Sequence, residues 1–494
     1  MEVVHSIRPA LAVLVSLVAA FLILRSDRYP NLREAWTLLA AVIKFAIVLS
    51  MLPTVIAGKV VEFTLVEILP GLPLLLRVDS FGLYFALIAS GLWILTSIYS
   101  IGYMRGMNEH AQTRYFFSFA LCLSAAMGIA FAGNLLTFFV FYEMLTMATY
   151  PLVVHKETPA AVMAGRKYLA YLLTAGVFLL FSITWAYSLT GNVDFRPGGF
   201  LAGSASKDTL QILFVTFMIG VGAKAAIMPI HAWLPTAMIA PTPVSALLHA
   251  VAVVKAGVFG SVRVVGYVFG PELLKDIDMW IVLGYFAAFT ILVASMFALA
   301  ADNLKRRLAF STISQLSYII LGAALVSENS LTGGILHIGN HAYMKITLFF
   351  AAGAIYVKTH VENISQMDGI GRQMPFTMGA FTIAALGMAG IPPVSGFLSK
   401  WYLCLGTLES HEMVFLVVLL ISSVLNIAYF FPIVLRAFFR SSDRFTRVAD
   451  ASPFMVVPLV LTAIMSVVLC LYPNALLNFL NLTRMSVQNI LGTS

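Results

Sequence analysis

Long apolar runs recur along the whole chain, separated by short polar connections. The runs are of the order of the ~20 residues that a helix needs to cross the hydrocarbon of a bilayer. None keeps the alternation of a barrel strand. Because lipid admits only helices and closed barrels, the pattern predicts an all-α polytopic membrane protein with fourteen spanning helices. Their expected bounds are 9–24, 35–57, 78–101, 116–132, 135–154, 168–189, 210–228, 242–267, 279–300, 311–326, 335–356, 379–405, 413–435 and 453–472. The segment after them is moderately amphipathic and is expected to lie along the membrane surface.

Composition agrees with the pattern. Of 494 residues, 60% are hydrophobic and 11% charged, with a mean hydropathy of +0.94, whereas soluble domains carry about 25% charged residues. The formal charge of +8 does not imply a nucleic-acid partner, because Lys and Arg fall in short clusters between apolar runs and build no basic domain. Those in the odd-numbered connections outnumber those in the even-numbered connections and termini by more than two to one. By the positive-inside rule both termini then lie on the outer side, in the inner (plasma) membrane of the cell. The run 9–24 follows a single Arg8 and ends in RSDR, so it reads as the first spanning helix rather than a cleavable signal. Cys122, Cys404 and Cys470 have no paired spacing. With no glycine-rich nucleotide motif and no haem motif either, no cofactor and no catalytic residue is expected.

The stretch 224–257, KAAIMPIHAWLPTAMIAPTPVSALLHAVAVVKAG, sets two lysines, two histidines and four prolines in an apolar region. A cation in hydrocarbon costs several kcal/mol unless paired, hydrated or neutralised, so an intramembrane lysine is a functional-site hypothesis by default. Six basic residues fall at membrane depth: Lys44, Lys224, Lys255, Arg263, Lys345 and Lys400. Lys44 and Arg263 are expected to snorkel to an interface or to face a partner subunit. The other four lie deeper, with one buried acid, Glu143, in FFVFYEMLTM. The cluster DNLKRR at 302–307 reads as a loop of the positively charged side.

Helix 7 ends at Pro229 just after Lys224, and helix 12 carries GIPPVSGF just before Lys400. Proline removes a backbone donor and breaks a helix. Paired interrupted helices in two halves point to a transporter's ion site. We therefore expect two five-helix repeats of inverted topology, 116–267 and 279–440, preceded by a three-helix segment at 1–115 and followed by a last helix and tail at 441–494.

Glu143 is expected to pair with Lys224. Pairing favours both charged forms and burial opposes them, so a lysine held between the two effects changes protonation when its partner moves. The static alternative is a salt bridge that fixes the bundle. Lys255 follows His249 by six residues, about 9 Å along a helix and well around it, as successive stations on a polar path. His337, His341 and Lys345 recur every fourth residue and form one stripe of helix 11. An HxxxH pair can bind metal, but no Glu adjoins the first His and no third ligand is evident, so no metal is expected. Neutral histidine both donates and accepts and titrates near physiological pH, which suits a proton relay. Lys400 would end the line, and His231 would admit protons from the cytoplasmic side.

HAWLPTAMIAPTPVSALLHAVAVVKAG, ADNLKRRLAFSTISQLSYIILG, HIGNHAYMKITLFFAAGAIY and GIPPVSGFLSKW together strongly resemble the antiporter-like subunits shared by respiratory complex I, membrane-bound hydrogenases and Mrp-type multisubunit sodium/proton antiporters. The resemblance covers roughly 78–440. It implies fourteen helices, two inverted repeats and broken helices 7 and 12. It also implies proton translocation through the helix-5 glutamate Glu143, the helix-7 lysine Lys224, the helix-8 lysine Lys255, the helix-11 histidine at His337 or His341, and the helix-12 lysine Lys400. The length is similar to the D-type Mrp subunit, while LLHAVAVVKAG is closer to the A-type or hydrogenase-type pattern. The implied setting is a multisubunit complex in the lipid bilayer, moving protons and Na+, with a redox complex's membrane arm as the alternative.

Overall fold

The helices begin where the local chemistry puts their starts. In the computed structural model, which describes residues 2–69 and 71–493 with the backbone alone at Leu69 and 248–250, most helix starts carry an N-cap side chain or a proline in the first turn. Three helices, α1 (Arg8–Arg25), α2 (Pro30–Leu49) and α3 (Leu52–Ile56), precede a small sheet, and the expected helix 2 is therefore split. Asp79 then accepts from Gly82 N to cap α4 (Ser80–Gly106), which is followed by α5 (Gln112–Ala130). Asn134 caps α6 (Leu135–Val153), and Thr158 caps α7 (Pro159–Thr190). Such caps satisfy backbone donors that the first turn leaves free.

The seventh and eighth expected helices are both broken. Ser206 caps α8 (Lys207–Gly222), which stops just before Lys224 and resumes as a single turn, α9 (Trp233–Thr236). The eighth divides into α10 (Thr242–Ala250) and α11 (Val253–Arg263), the latter running into a π-helical turn over Val264–Phe269. After α12 (Pro271–Asp276) come α13 (Met279–Ala300), α14 (Leu304–Ala324) and α15 (Glu328–Thr359). Following α16 (Ile370–Gln373), the twelfth expected helix is interrupted as its prolines demand, into α17 (Pro375–Ala389) and α18 (Ser395–Glu409). The chain closes with α19 (Met413–Phe439), α20 (Pro453–Leu471) and α21 (Phe479–Leu491).

Nine of the described helices are long and apolar enough to cross a bilayer. They include α7, α13, α19 and α20, which turn large apolar side chains outward, among them Val177, Phe289, Val424 and Phe454. The protein is a mostly helical, multi-pass membrane protein.

Two departures from an all-helical reading have clear causes. Three strands, β1 (Val3–His5), β2 (Val60–Leu69) and β3 (Leu72–Val78), form a sheet in which β1 runs parallel and β3 antiparallel to β2. The stretch VVEFTLVEIL is rich in β-branched residues and lies in a connection, where a sheet edge can meet water. The chain turns between β2 and β3 with Gly71 at φ +79°, a conformation that only glycine adopts freely. The second departure is α21, which does not simply lie on a surface. It packs on α4 and α15 and buries Phe479, Leu482, Val487 and Ile490.

The axis of the molecule is α15. Every residue from Ser330 to Ile355 is buried, because α4, α10, α14, α17, α18, α20 and α21 all pack around it. Its polar residues therefore meet protein on all sides.

Candidate functional site

The two helix breaks hold two of the lysines. At the first, the carbonyls freed at the end of α8 find side-chain donors: Tyr142 OH donates to Gly220 O at 3.0 Å and Trp233 Nε1 to Ala223 O at 2.8 Å. Lys224, fully buried, donates to the carbonyl of Tyr142 on α6, with its Nζ 3.2 Å from the centre of the Tyr142 ring. The ion pair expected between Glu143 and Lys224 is thus not formed as a direct contact. Glu143 is only half-buried and packs its carboxylate against Gly176 of α7. The two charges still interact through space.

At the second break Lys400 donates to Met388 O at 2.7 Å, in the last turn of α17. A helix C-terminus, with its unpaired carbonyls, favours a cation. Lys400 also lies 5.2 Å from the centre of the Tyr318 ring and 3.4 Å from Ser423 Oγ.

Between the breaks the structure brings the remaining residues together. Lys255 Nζ on α11 lies 2.9 Å from Nδ1 of His341 on α15, both buried. One helix turn along, the His337 ring centre is 5.8 Å from that of His341. His337 Nε2 meets Gln315 Oε1 at 3.0 Å and its Nδ1 meets Ser399 Oγ at 2.8 Å, next to Lys400. The Tyr318 ring stacks on His337 at 5.6 Å and so touches both His337 and Lys400.

Lys345 belongs to a branch. Its Nζ donates to Ser311 Oγ at 2.9 Å, and Tyr429 OH approaches the same hydroxyl at 3.2 Å while also contacting Asn426 Oδ1. Gln315 Nε2 donates to that Asn426 oxygen at 3.2 Å. The branch therefore returns to His337 through Gln315. Among the described residues, Lys255, Lys345 and Lys400 have no carboxylate within 4.0 Å.

Not every expected residue joins this network. His231 is half-buried in the segment between α8 and α9, with Lys167 of α7 as the charge acting on it. The His249 side chain lies outside the described residues. Lys44 and Arg263 do not snorkel. Lys44 donates to Ser16 Oγ and to Leu123 O, with Trp93 at 4.8 Å. Arg263 forms a bidentate pair with Asp79 at 2.5 and 2.8 Å. Asp79 is a buried acid that the sequence alone does not single out, because it stands at a helix start and reads as a cap.

Gln315, Asn426, Tyr318, Tyr429, Ser311 and Ser399 were also missed. The signal was there: a Gln in STISQLSYIILG and an Asn in SSVLNIAYF are polar residues inside apolar helices, which are costly and mark function. The cluster DNLKRR is only partly a loop: Asn303 caps α14, whose first turn holds Leu304 to Arg307, and the buried Arg307 donates to Ala301 O and Tyr429 O, tying the end of α13 to α19.

Residues 132–426 match the family described as NADH:quinone oxidoreductase/Mrp antiporter, TM. The chain is 34% identical over 363 residues to "NADH-quinone oxidoreductase subunit N" of Desulforudis audaxviator, covering 72% of each protein. It spans between 37% and 56% of the length of the next several curated relatives. In fold it superimposes on a chain of the Mrp complex from Dietzia sp. DQ12-45-1b with a TM-score of 0.88 at 21% identity, covering 99% of this chain and 98% of that one. A chain of the membrane-bound sulfane sulfur reductase, an archaeal respiratory membrane complex, gives 0.89 at 24% identity, covering 98% of both. The matched segment contains both helix breaks and the whole hydrogen-bonded line between them, and the chain belongs to the NADH:quinone oxidoreductase/Mrp antiporter membrane family.

Proposed function

We propose that this chain translocates protons as one subunit of a multisubunit cation (Na+)/proton antiporter, along the line Glu143, Lys224, Lys255, His341, His337 and Lys400. His231 would admit protons, His249 would be a further station with Lys255, and Lys345 would store charge on its branch. The observation that carries this reading is the 2.9 Å contact between Lys255 and His341, since it joins the segment 116–267 to the segment 279–440. A proton relay needs groups that can both donate and accept at hydrogen-bond spacing. Lys255 and His341, and His337 and Ser399, stand at that spacing, and the two imidazoles lie one helix turn apart with ring centres 5.8 Å from each other.

In this reading the two segments are inverted five-helix repeats within fourteen spanning helices. Both termini face the outer side of the plasma membrane, as the distribution of Lys and Arg supports. Length favours the D-type subunit of a Mrp complex.

Reconstituting the complex into vesicles with an entrapped pH dye tests the reading. Lys224→Ala should abolish proton transport while the complex still assembles. Full transport in that variant would sink it.

A second reading is favoured by the relative from Desulforudis audaxviator, whose name places it in an NADH-quinone oxidoreductase. There the same line would serve as a proton channel in the membrane arm of a redox complex. Mass spectrometry of proteins that copurify in mild detergent separates the two. Small hydrophobic partners alone favour the antiporter, and iron–sulfur or flavin subunits favour the redox complex.

A further inference from the structure

Away from the buried line, Glu109, His110 and His155 converge where the connection before α5 meets the connection before α7. Each offers one ligand atom, and the three atoms lie within 4.8 Å of one another. Glu109 Oε2 is 3.9 Å from His110 Nδ1 and 3.8 Å from His155 Nε2, so one carboxylate oxygen sits between two imidazoles. His155 is wholly buried, and neither ring nitrogen has a hydrogen-bond partner at standard geometry. An imidazole left without partners in a protein interior is costly, and such groups call for an explanation. The ring faces His110 at 4.9 Å and stands edge-on to Tyr115 at 5.9 Å, which fixes its orientation toward Glu109.

We propose that Glu109, His110 and His155 form a binding site for a divalent transition-metal ion of the Zn2+ class, clamping these two connections together. The donor set selects the ion. Two imidazoles and one carboxylate suit Zn2+ and its neighbours, whereas Mg2+ and Ca2+ require oxygen ligands. Ligands ~2.0–2.1 Å from a tetrahedral Zn2+ stand roughly 3.3 Å apart, so the carboxylate need draw in by only about half an ångström toward each imidazole, and the two imidazoles by at most about 1.5 Å toward each other.

The surrounding charges permit a cation. Arg114, which donates to His155 O at 3.1 Å, is already paired with Glu157, whose carboxylate lies 4.0 Å from His110 Nε2 and is placed to support the shell from outside it. The fourth position opens toward solvent on the side of the half-exposed His110. Second-shell support for metal-bound histidines generally comes from such neighbouring carboxylates.

The test uses the untagged, purified complex. Zn2+ binding is followed by equilibrium dialysis with metal analysis, and the ligand shell by X-ray absorption at the zinc edge. Glu109→Gln and His110→Asn alter partly exposed side chains and leave the helices intact; His155→Gln reaches the buried ligand. Each variant is compared with the original at equal melting temperature in the absence of metal. We expect one Zn2+ per chain with two imidazoles in its shell, and an affinity at least ~10-fold lower in Glu109→Gln and His110→Asn, the smaller loss that even an outer-shell change causes. Unchanged Zn2+ affinity in both, or a shell with no imidazole, would overturn the proposal. Proton transport is not the readout, so the result stands apart from the proposed function.

Discussion

Lys255 Nζ and His341 Nδ1 meet at 2.9 Å across 86 positions of sequence. Two basic groups in contact in a dry interior cannot both hold an extra proton without repulsion, so protonation of one bears directly on the other.

That relationship predicts non-additive loss. In reconstituted vesicles Lys255→Met and His341→Ala should each lower proton flux sharply, and the double variant should be no worse than the poorer single one. The corresponding coupling is on the order of 1–3 kcal/mol. Independent, additive losses would separate the two residues into unrelated roles.

The first helix break depends on a glycine. A methyl on Gly257 would press into the backbone of Ala225 and stand 2.6 Å from the Lys224 carbonyl carbon. Gly257→Ala should therefore displace Lys224 and reduce transport by more than tenfold, a barrier increase of ~1.4 kcal/mol. Gly379→Ala is the control, because nothing lies within 4 Å of the added carbon there. Equal behaviour of the two variants would show that the break tolerates movement.

Arg263 and Asp79 form a buried ion pair that holds α11 to the start of α4. Removing one partner of such a pair typically costs about 3–5 kcal/mol, whereas replacing both with apolar residues is often neutral. Thermal melting of the purified complex should thus fall markedly in Asp79→Ala and recover in the double variant Asp79→Leu with Arg263→Met. Failure of the double variant to recover would mean that the pair does more than hold the helices.

Gln315 links His337 to the branch that ends at Lys345. Gln315→Leu leaves His337 Nε2 without its partner, at a cost of ~1–3 kcal/mol, while Asn426 Oδ1 keeps Tyr429 OH as its donor. We expect lower melting temperature and slower transport together. Slow transport with unchanged melting in Gln315→Leu would place Gln315 in the relay itself rather than in its scaffold.

The helical framework was legible in the apolar runs because each spanning segment must satisfy its backbone internally. The second break was legible for the opposite reason, since proline in a helix cannot complete that pattern and Pro392 and Pro393 announced where α17 stops; Pro229 marked a break but not its place, because α8 stops at Gly222, before Lys224 rather than after it. The interruption between α10 and α11 carries no proline at Val251 or Ala252 and could not be seen. Partners were harder to read than residues. Lys224 was found from its cost in hydrocarbon, but its acceptor is the backbone carbonyl of Tyr142, and backbone acceptors leave no mark in sequence. The cluster of Glu109, His110 and His155 was invisible too, because its members sit on separate connections and only the packing of α5 against α6 joins them.

The burial of α15 bears on how the protein is made. This helix carries His337, His341 and Lys345, and it is not among the nine described helices apolar enough to cross a membrane alone. A segment with such polar groups partitions poorly from the translocation machinery into lipid. Insertion of α15 is therefore expected to follow the gathering of α4, α10 and α14, all synthesised before it, with α18 and α20 closing the shell afterwards. The buried polar stripe and that order of insertion would then be consequences of the same helix.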